Sequence, residues 1–197
     1  MDEPLSALDL NVRQAVRLEL QQLQNDTRIT FVFVTHDQDE ALTMSNRIAV
    51  ISEGRLQQVG TAREIYEAPK NKFVADFIGE TNLIDVEVGA VKDGQATCIL
   101  PGGTKFTCFA AEGASKGVGH LSVRPERVAI DDVKTGLISG ITSRHIYLGT
   151  DMHVDVTLDD GEIITVRVQN SESAHIPEMG NRVGLNFDAG SARLLED

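Results

Sequence analysis

Two short stretches near the start of the chain carry residue types suited to nucleotide hydrolysis. Met1–Asp9 reads MDEPLSALD, and Val34–Ala41 reads VTHDQDEA after the apolar run ITFVFV. An aspartate such as Asp2 can hold Mg²⁺ through hard oxygen ligands, and a neighbouring glutamate such as Glu3 can orient and deprotonate a water. Since open α/β sheets bind ligands at the carboxyl ends of their strands, we expect His36, which follows a second buried strand, to lie beside that pair.

Each of these residues also has a plainer interpretation. Asp2 and Glu3 could form a solvated acidic start, and Asp9, three residues after Ser6, suits a helix cap. His36 alone would be a structural loop histidine. Only their joint occurrence favours a nucleotide site. The sequence contains no G-x-x-x-x-G-K-[ST] phosphate loop. The sequence therefore predicts only part of the residues that a nucleotide-hydrolysing site requires.

A short α/β segment is needed to position these residues. A capping box at Ser6–Asp9 predicts a helix that continues to about Gln24, with apolar residues along one face. The continuous apolar run Ile29–Val34 predicts a strand buried on both faces, and Thr35–Gln38 begins a second helix. Beyond this helix the pattern predicts a hairpin formed by Arg47–Ile51 and Arg55–Val59. It also predicts two short helices, one that begins at Thr61 and one over Lys72–Ile78.

After Gly79 the sequence predicts an all-β domain. Short alternating strands recur between turn signals such as Lys92-Asp93-Gly94 and Asp159-Asp160-Gly161, which favours a small barrel or sandwich. We therefore expect two domains, over residues 1–79 and 80–197. The predicted strands are Asn82–Val88, Gln95–Leu100, Thr104–Phe109, His120–Val123, Leu137–Ile146, Met152–Leu158, Glu162–Val168 and Arg182–Phe187.

Composition narrows the classes of function. The 197 residues are 41% hydrophobic and 24% charged, as in ordinary globular protein, with no apolar run long enough to span a bilayer and no signal-peptide pattern. The net charge of −12, with 5% aromatic residues and no Trp, argues against nucleic acid as a partner. The two cysteines, Cys98 and Cys108, are expected to be reduced, buried residues.

Three separated motifs resemble one family. DEPLSALD resembles the Walker B segment and D-loop of ATP-binding-cassette (ABC) ATPases, and VTHDQDEAL resembles their switch-histidine segment. The stretch from RIAVISEGR to FIGETN is similar to the end of that ATPase domain in importer subunits. LSVRPERVAI and IYLGTD resemble the TOBE domain appended to them. The resemblance implies an α/β part of a P-loop ABC ATPase domain over residues 1–79, followed by an OB-like TOBE β-barrel over residues 80–197.

The resemblance also implies a role for each site residue. Asp2 would bind Mg²⁺, and Glu3 would be the general base for the attacking water. Asp9 would be the D-loop aspartate that communicates across a two-motor dimer, and His36 would contact the γ-phosphate of ATP. The phosphate loop, Q-loop and LSGGQ signature of the family do not occur in the sequence. We therefore expect ATP and Mg²⁺ to serve a full-length parent, and no productive nucleotide binding by this chain alone.

The implied function is that of the ATP-hydrolysing subunit of a bacterial ABC importer, with polyamines (spermidine and putrescine) favoured as substrate. Sugar and ferric-iron importers remain alternatives. Such a subunit would form a homodimer at the cytoplasmic face of the membrane. There it would bind integral-membrane permease subunits and, through them, serve a substrate-binding protein. A different class also stays open, in which the chain is a non-enzymatic TOBE module that dimerises or senses a small ligand.

Overall fold

The computed structural model describes residues 9–172 and 176–196. The chain divides into two compact units, Met1–Tyr66 (the N-terminal unit) and Glu67–Asp197 (the C-terminal unit). This division lies earlier than the domain boundary predicted after Gly79, which stays a prediction. No described helix combines the length and the apolar character needed to span a membrane.

Capped helices open the N-terminal unit. α1 spans Leu10–Thr27 and begins after Asp9, whose Oδ1 accepts a hydrogen bond from the backbone N–H of Val12 at 3.1 Å. α2 spans Gln38–Met44. Both helices occur where the sequence predicts them, because a side-chain cap satisfies backbone donors that the first turn of a helix leaves free.

The prediction of a strand over Ile29–Val34 is wrong. None of these residues belongs to a strand, although Val34 makes a single bridge. Ile29, Val32 and Val34 are 58%, 70% and 57% exposed. A strand needs a neighbour to pair its backbone groups and to cover its faces, and no described strand lies alongside this segment.

The predicted hairpin is confirmed. β1 spans Ile48–Ser52 and pairs antiparallel with β2, Arg55–Gly60. The two connecting residues, Glu53 and Gly54, have φ values of 50° and 71°. Positive φ at both central positions is the geometry of a type I′ turn, whose twist suits two short strands.

Two further short helices follow, each with a side-chain cap. α3 spans Ala62–Glu67 and starts with a capping box, in which the Thr61 N–H donates to Glu64 Oε2 at 2.7 Å and the Glu64 N–H donates to Thr61 Oγ1 at 3.3 Å. α4 spans Lys72–Phe77, with Asn71 as its cap. By its contacts α4 belongs to the C-terminal unit.

The C-terminal unit is built from ten strands in two sheets. Five form a closed barrel in the order β12-β5-β4-β3-β6, and five form a sheet in the order β10-β9-β8-β11-β7. The predicted OB-like barrel is thus confirmed, with a second sheet beside it. The strands are β3 Asn82–Lys92, β4 Gln95–Ile99, β5 Lys105–Ala110, β6 Gly117–Val123, β7 Ala129–Asp131, β8 Ile138–Tyr147, β9 Asp151–Leu158, β10 Ile163–Gln169, β11 Arg182–Asn186 and β12 Ala192–Leu194.

Both sheets contribute to one hydrophobic core, as alternating strands require. β12 closes the barrel by pairing parallel with β5 and antiparallel with β6. The fully buried side chains include Ile84 and Leu121 from the barrel strands β3 and β6, and Val154, Ile164 and Leu185 from the second sheet.

Arg124 ties α4 to the barrel from the end of β6. It is 6% exposed, and its Nη1 donates to the backbone carbonyls of Ala75 at 3.0 Å and Glu80 at 2.9 Å. The following residues, Pro125–Arg127, form a 3₁₀ helix. The Arg124 guanidinium thus binds backbone oxygens on both sides of the end of α4.

Candidate functional site

The structure describes two of the four predicted site residues. Asp2 and Glu3 lie outside the described residues. Asp9 lies at the start of α1, where it acts as a helix cap. His36 is exposed and directly precedes Asp37, the cap of α2. The assignment of the four residues to one nucleotide site stays a prediction.

Hydrogen bonds hold the residues on either side of His36. The Thr35 hydroxyl donates to Glu40 Oε2 at 2.8 Å and accepts from the backbone N–H of Asp37 at 3.0 Å. Asp37 Oδ1 accepts from the backbone N–H of Glu40 at 3.0 Å. Together these bonds connect Thr35 and Asp37 to the first turn of α2. The two residues next to His36 are therefore held in place by side-chain hydrogen bonds.

Arg17 connects this turn to α1. Its Nη2 lies 3.3 Å from Asp37 Oδ2 and 3.4 Å from Glu40 Oε1. The side chains of Arg17 and Glu40 are only 15% and 7% exposed, so little water screens these charges. Sequence reasoning missed Arg17, because its partner Asp37 is 20 residues away and no local pattern marks the pair.

A second tie between the two helices lies at the other end of α2. Gln21 Nε2 donates to the backbone carbonyl of Thr43 at 2.6 Å, on the exposed side of the contact. That contact lies away from His36, so the site in the N-terminal unit consists of an exposed imidazole whose flanking residues are anchored to α1 through Arg17. An imidazole in this setting can donate a hydrogen bond to an anionic oxygen or accept one from a donor, according to its protonation.

The C-terminal unit carries a buried polar network between its two sheets. Asn82 in β3 and Thr165 in β10 exchange two hydrogen bonds, at 2.9 and 2.8 Å. The Thr165 hydroxyl donates to Asp155 Oδ1 at 2.8 Å, and Arg144 binds Asp155 Oδ2 through Nε at 2.7 Å and Nη2 at 2.6 Å. These hydrogen bonds join the two sheets of the C-terminal unit.

An acidic group lies where the start of β10 meets β3. Burial raises the pKa of Glu162 to about 7, and the nearby carboxylates of Asp85 and Asp160 add to that rise. Glu162 Oε1 accepts from the Asp85 N–H at 3.3 Å, whereas Oε2 is buried without a hydrogen-bond partner. Asp85 also contacts His120 Nδ1 at 2.8 Å. Within the described part of the chain, no three His, Cys, Asp or Glu side chains are arranged to hold a metal ion.

The two cysteines are free and buried, as predicted. Their sulfur atoms lie 3.9 Å apart on the adjacent strands β4 and β5. The hydrogen bond with Cys98 and burial raise the pKa of the Cys108 thiol, and the same hydrogen bond lowers the pKa of the Cys98 thiol. Both side chains are small members of the hydrophobic core.

Comparisons with known proteins extend the resemblance over the whole chain. The TOBE domain family matches residues 121–195. The chain is 50% identical to the spermidine/putrescine import ATP-binding protein PotA of Roseobacter denitrificans over 200 residues, which is 99% of this chain and 55% of that protein. It is 51% identical to PotA of Pseudomonas fluorescens over 201 residues, with 100% and 54% covered.

A third relative, PotA 1 of Pseudomonas aeruginosa, is 53% identical over 201 residues, which is 100% of this chain and 54% of that protein. The chain thus spans about half the length of the curated relatives it matches. The similarity to importer ATP-binding subunits, first inferred from three motifs, is confirmed over the entire chain.

One solved structure supports the fold of the C-terminal unit. The cytoplasmic molybdate-binding protein ModG aligns with a TM-score of 0.50 and 18% identity, over 59% of this chain and 96% of that protein. At this identity the likeness concerns the fold alone. It agrees with the closed barrel and its accompanying sheet.

Proposed function

We propose that this chain is the C-terminal part of the ATP-binding, ATP-hydrolysing subunit of a bacterial spermidine/putrescine importer. The observation that carries the proposal is the identity of 50% or more, over nearly the whole chain, to proteins of that name from three bacteria. Residues 121–195 add a TOBE domain match in the position that the motifs predict. The exposed position of His36 is compatible with contact to a nucleotide phosphate.

Within the longer subunit, each site residue has one chemical task. Asp2 would hold Mg²⁺, which supplies positive charge to the phosphates when bound. Glu3 would orient the attacking water and accept its proton. His36 would hydrogen-bond to the γ-phosphate, and Asp9 would communicate across the dimer while it caps α1.

We further infer that this chain alone does not hydrolyse ATP. Phosphoryl transfer depends on positioned charges around the phosphates, and the sequence holds no phosphate loop, Q-loop or signature motif. We therefore expect neither ATP nor Mg²⁺ to bind productively to residues 1–197 by themselves. The missing parts would come from the other half of the subunit, since the relatives are about twice as long.

The proposed subunit works as a homodimer at the cytoplasmic face of the membrane. Its partners are integral-membrane permease subunits and, indirectly, a substrate-binding protein. Support for polyamines over sugars or ferric iron comes from the names of the relatives, each of which is a spermidine/putrescine import protein. The substrate itself is selected by the other subunits. The sequence of this chain therefore indicates the substrate only through its similarity to these relatives.

A transport assay tests the proposal. Cells that lack their own polyamine importer would receive the longer subunit with its permease and binding protein, and uptake of radiolabelled spermidine would be measured. We expect uptake with the natural subunit and with Glu178→Gln, an exposed carboxylate of the C-terminal unit. Glu3→Gln should abolish it.

Two results would overturn the proposal. Uptake of maltose or ferric iron, but not of spermidine or putrescine, would assign the subunit to another substrate. Spermidine uptake that continues unchanged with Glu3→Gln would remove the hydrolytic role, and would favour a TOBE module that senses a ligand or dimerises without catalysis.

A further inference from the structure

We propose that Arg17 is a positioning residue for His36, acting through the ion pairs that it makes with Asp37 and Glu40. This inference rests on the proposed function, in which His36 contacts the γ-phosphate. Arg17 itself lies on α1 and reaches α2 only through its guanidinium group. Its task would be to hold the backbone at His36 in one geometry while hydrolysis proceeds.

The contacts of Arg17 act on the two residues next to His36, on Asp37 directly and on Thr35 through Glu40. Asp37 follows the histidine, and its Oδ2 lies 3.3 Å from Arg17 Nη2. Thr35 precedes the histidine, and its hydroxyl donates to Glu40, whose other carboxylate oxygen lies 3.4 Å from the same nitrogen. One guanidinium nitrogen thus restrains both neighbours of the imidazole.

Removal of the guanidinium charge would leave an unfavourable arrangement. Asp37 and Glu40 would face each other as two carboxylates, and Glu40 is almost fully buried. An uncompensated buried charge is costly, so the first turn of α2 would rearrange to expose or separate these groups. The backbone at His36 would move with it, because Thr35 and Asp37 are parts of the same turn.

The rest of α2 has its own attachment to α1, which makes the effect of Arg17 local. Gln21 holds the far end of the helix through the carbonyl of Thr43. Loss of Arg17 should therefore misplace His36 without detaching α2. A misplaced group that acts mainly in the transition state lowers kcat and leaves KM for ATP nearly unchanged.

The test uses the longer subunit, assembled with its permease, and measures kcat and KM for ATP together with thermal unfolding. Arg17→Met keeps an unbranched stem and removes the charge. We expect kcat to fall about tenfold, as for loss of one charge-assisted contact, with KM changed by less than about twofold. Gln21→Ala is the matched control, since it cuts the other tie between the same helices. It should leave kcat unchanged.

A second variant keeps the proposal falsifiable if Arg17→Met unfolds the protein. Asp37→Asn retains a side chain that caps α2 equally well, but places an uncharged amide against the guanidinium. It should lower kcat without lowering the melting temperature. In the double variant with His36→Ala, the loss of kcat should be no larger than with His36→Ala alone, because both changes act through one group.

The outcomes separate this inference from the proposed function. If His36→Ala keeps normal turnover, the role of His36 fails, and the positioning role fails with it. If His36→Ala stops turnover while Asp37→Asn and a folded Arg17→Met do not lower kcat, only the present inference is overturned. It is also overturned if Gln21→Ala lowers kcat as much as Arg17→Met, or if the double variant shows additive losses.

Discussion

Glu162 should make the C-terminal unit less stable in alkaline solution than in mildly acidic solution. Its pKa in the folded protein is about 7, against 4.5 for an ordinary glutamate, because burial and the nearby Asp85 and Asp160 disfavour its charge. The folded protein therefore binds this proton more tightly than the unfolded chain does. The loss of stability caused by burying the charged carboxylate is fully present above pH 7, and it disappears as the pH falls from 7 to 4.5.

The size of the penalty follows from the change in pKa. A rise from 4.5 to about 7 is about 2.5 pH units, which corresponds to about 3.4 kcal/mol at 1.36 kcal/mol per unit. Glu162 is only partly buried, so solvent screening reduces this to about 1–2 kcal/mol. Glu162→Gln removes the charge and keeps an oxygen for the Asp85 N–H.

Urea unfolding followed by far-ultraviolet circular dichroism measures the effect, since the chain has no Trp to report on folding. The measured quantity is the free energy of unfolding of Glu162→Gln minus that of the natural chain. This difference should be about 1–2 kcal/mol larger at pH 8 than at pH 5. Glu178→Gln, which removes an exposed carboxylate from the same unit, should show no such difference. A Glu162→Gln effect that is the same at both pH values would refute the reasoning.

Two further predictions concern packing in the C-terminal unit. Arg124→Met should lower the free energy of unfolding by about 2–3 kcal/mol, because the buried carbonyl of Ala75 and the partly buried carbonyl of Glu80 lose their charged donor. Arg127→Met, whose side chain is 54% exposed and whose ion pair is 3.8 Å long, should cost less than about 1 kcal/mol in the same urea titration. Gly184→Ala should destabilise by about 2 kcal/mol or more, since its Cβ would overlap the carbonyl oxygen of Asp132. Gly190→Ala, with no atom within 4 Å of the new Cβ, should change the melting temperature little.

Local sequence patterns predict most of the helices and strands. The turn at Glu53-Gly54 and the capping box at Thr61 and Glu64 depend on residues within a few positions of one another, so the sequence predicts the hairpin and the helix to which they belong. The three-residue strands β7 and β12 were not predicted, because such short segments show no alternation. Their pairing is set by distant strands, as for β12 between β5 and β6.

Long-range context decided the remaining differences. Ile29–Val34 has the composition of a buried strand, yet no described strand pairs alongside it. Composition predicts that a segment is apolar, whereas a strand also requires a partner. At the candidate site, motifs predict roles for His36 and Asp9, which stay predictions, whereas the contacts of Arg17 to α2 appear only once the two helices are packed together.

ATP hydrolysis by the longer subunit tests the central claim most directly. Turnover and nucleotide binding would be measured for the natural subunit, for Glu3→Gln and for residues 1–197 alone. We predict that Glu3→Gln stops turnover while nucleotide binding persists, since loss of a general base need not remove phosphate contacts, and that residues 1–197 alone show no turnover. Near-normal turnover by Glu3→Gln in the longer subunit, or turnover by residues 1–197 that the same substitution abolishes, would contradict the account.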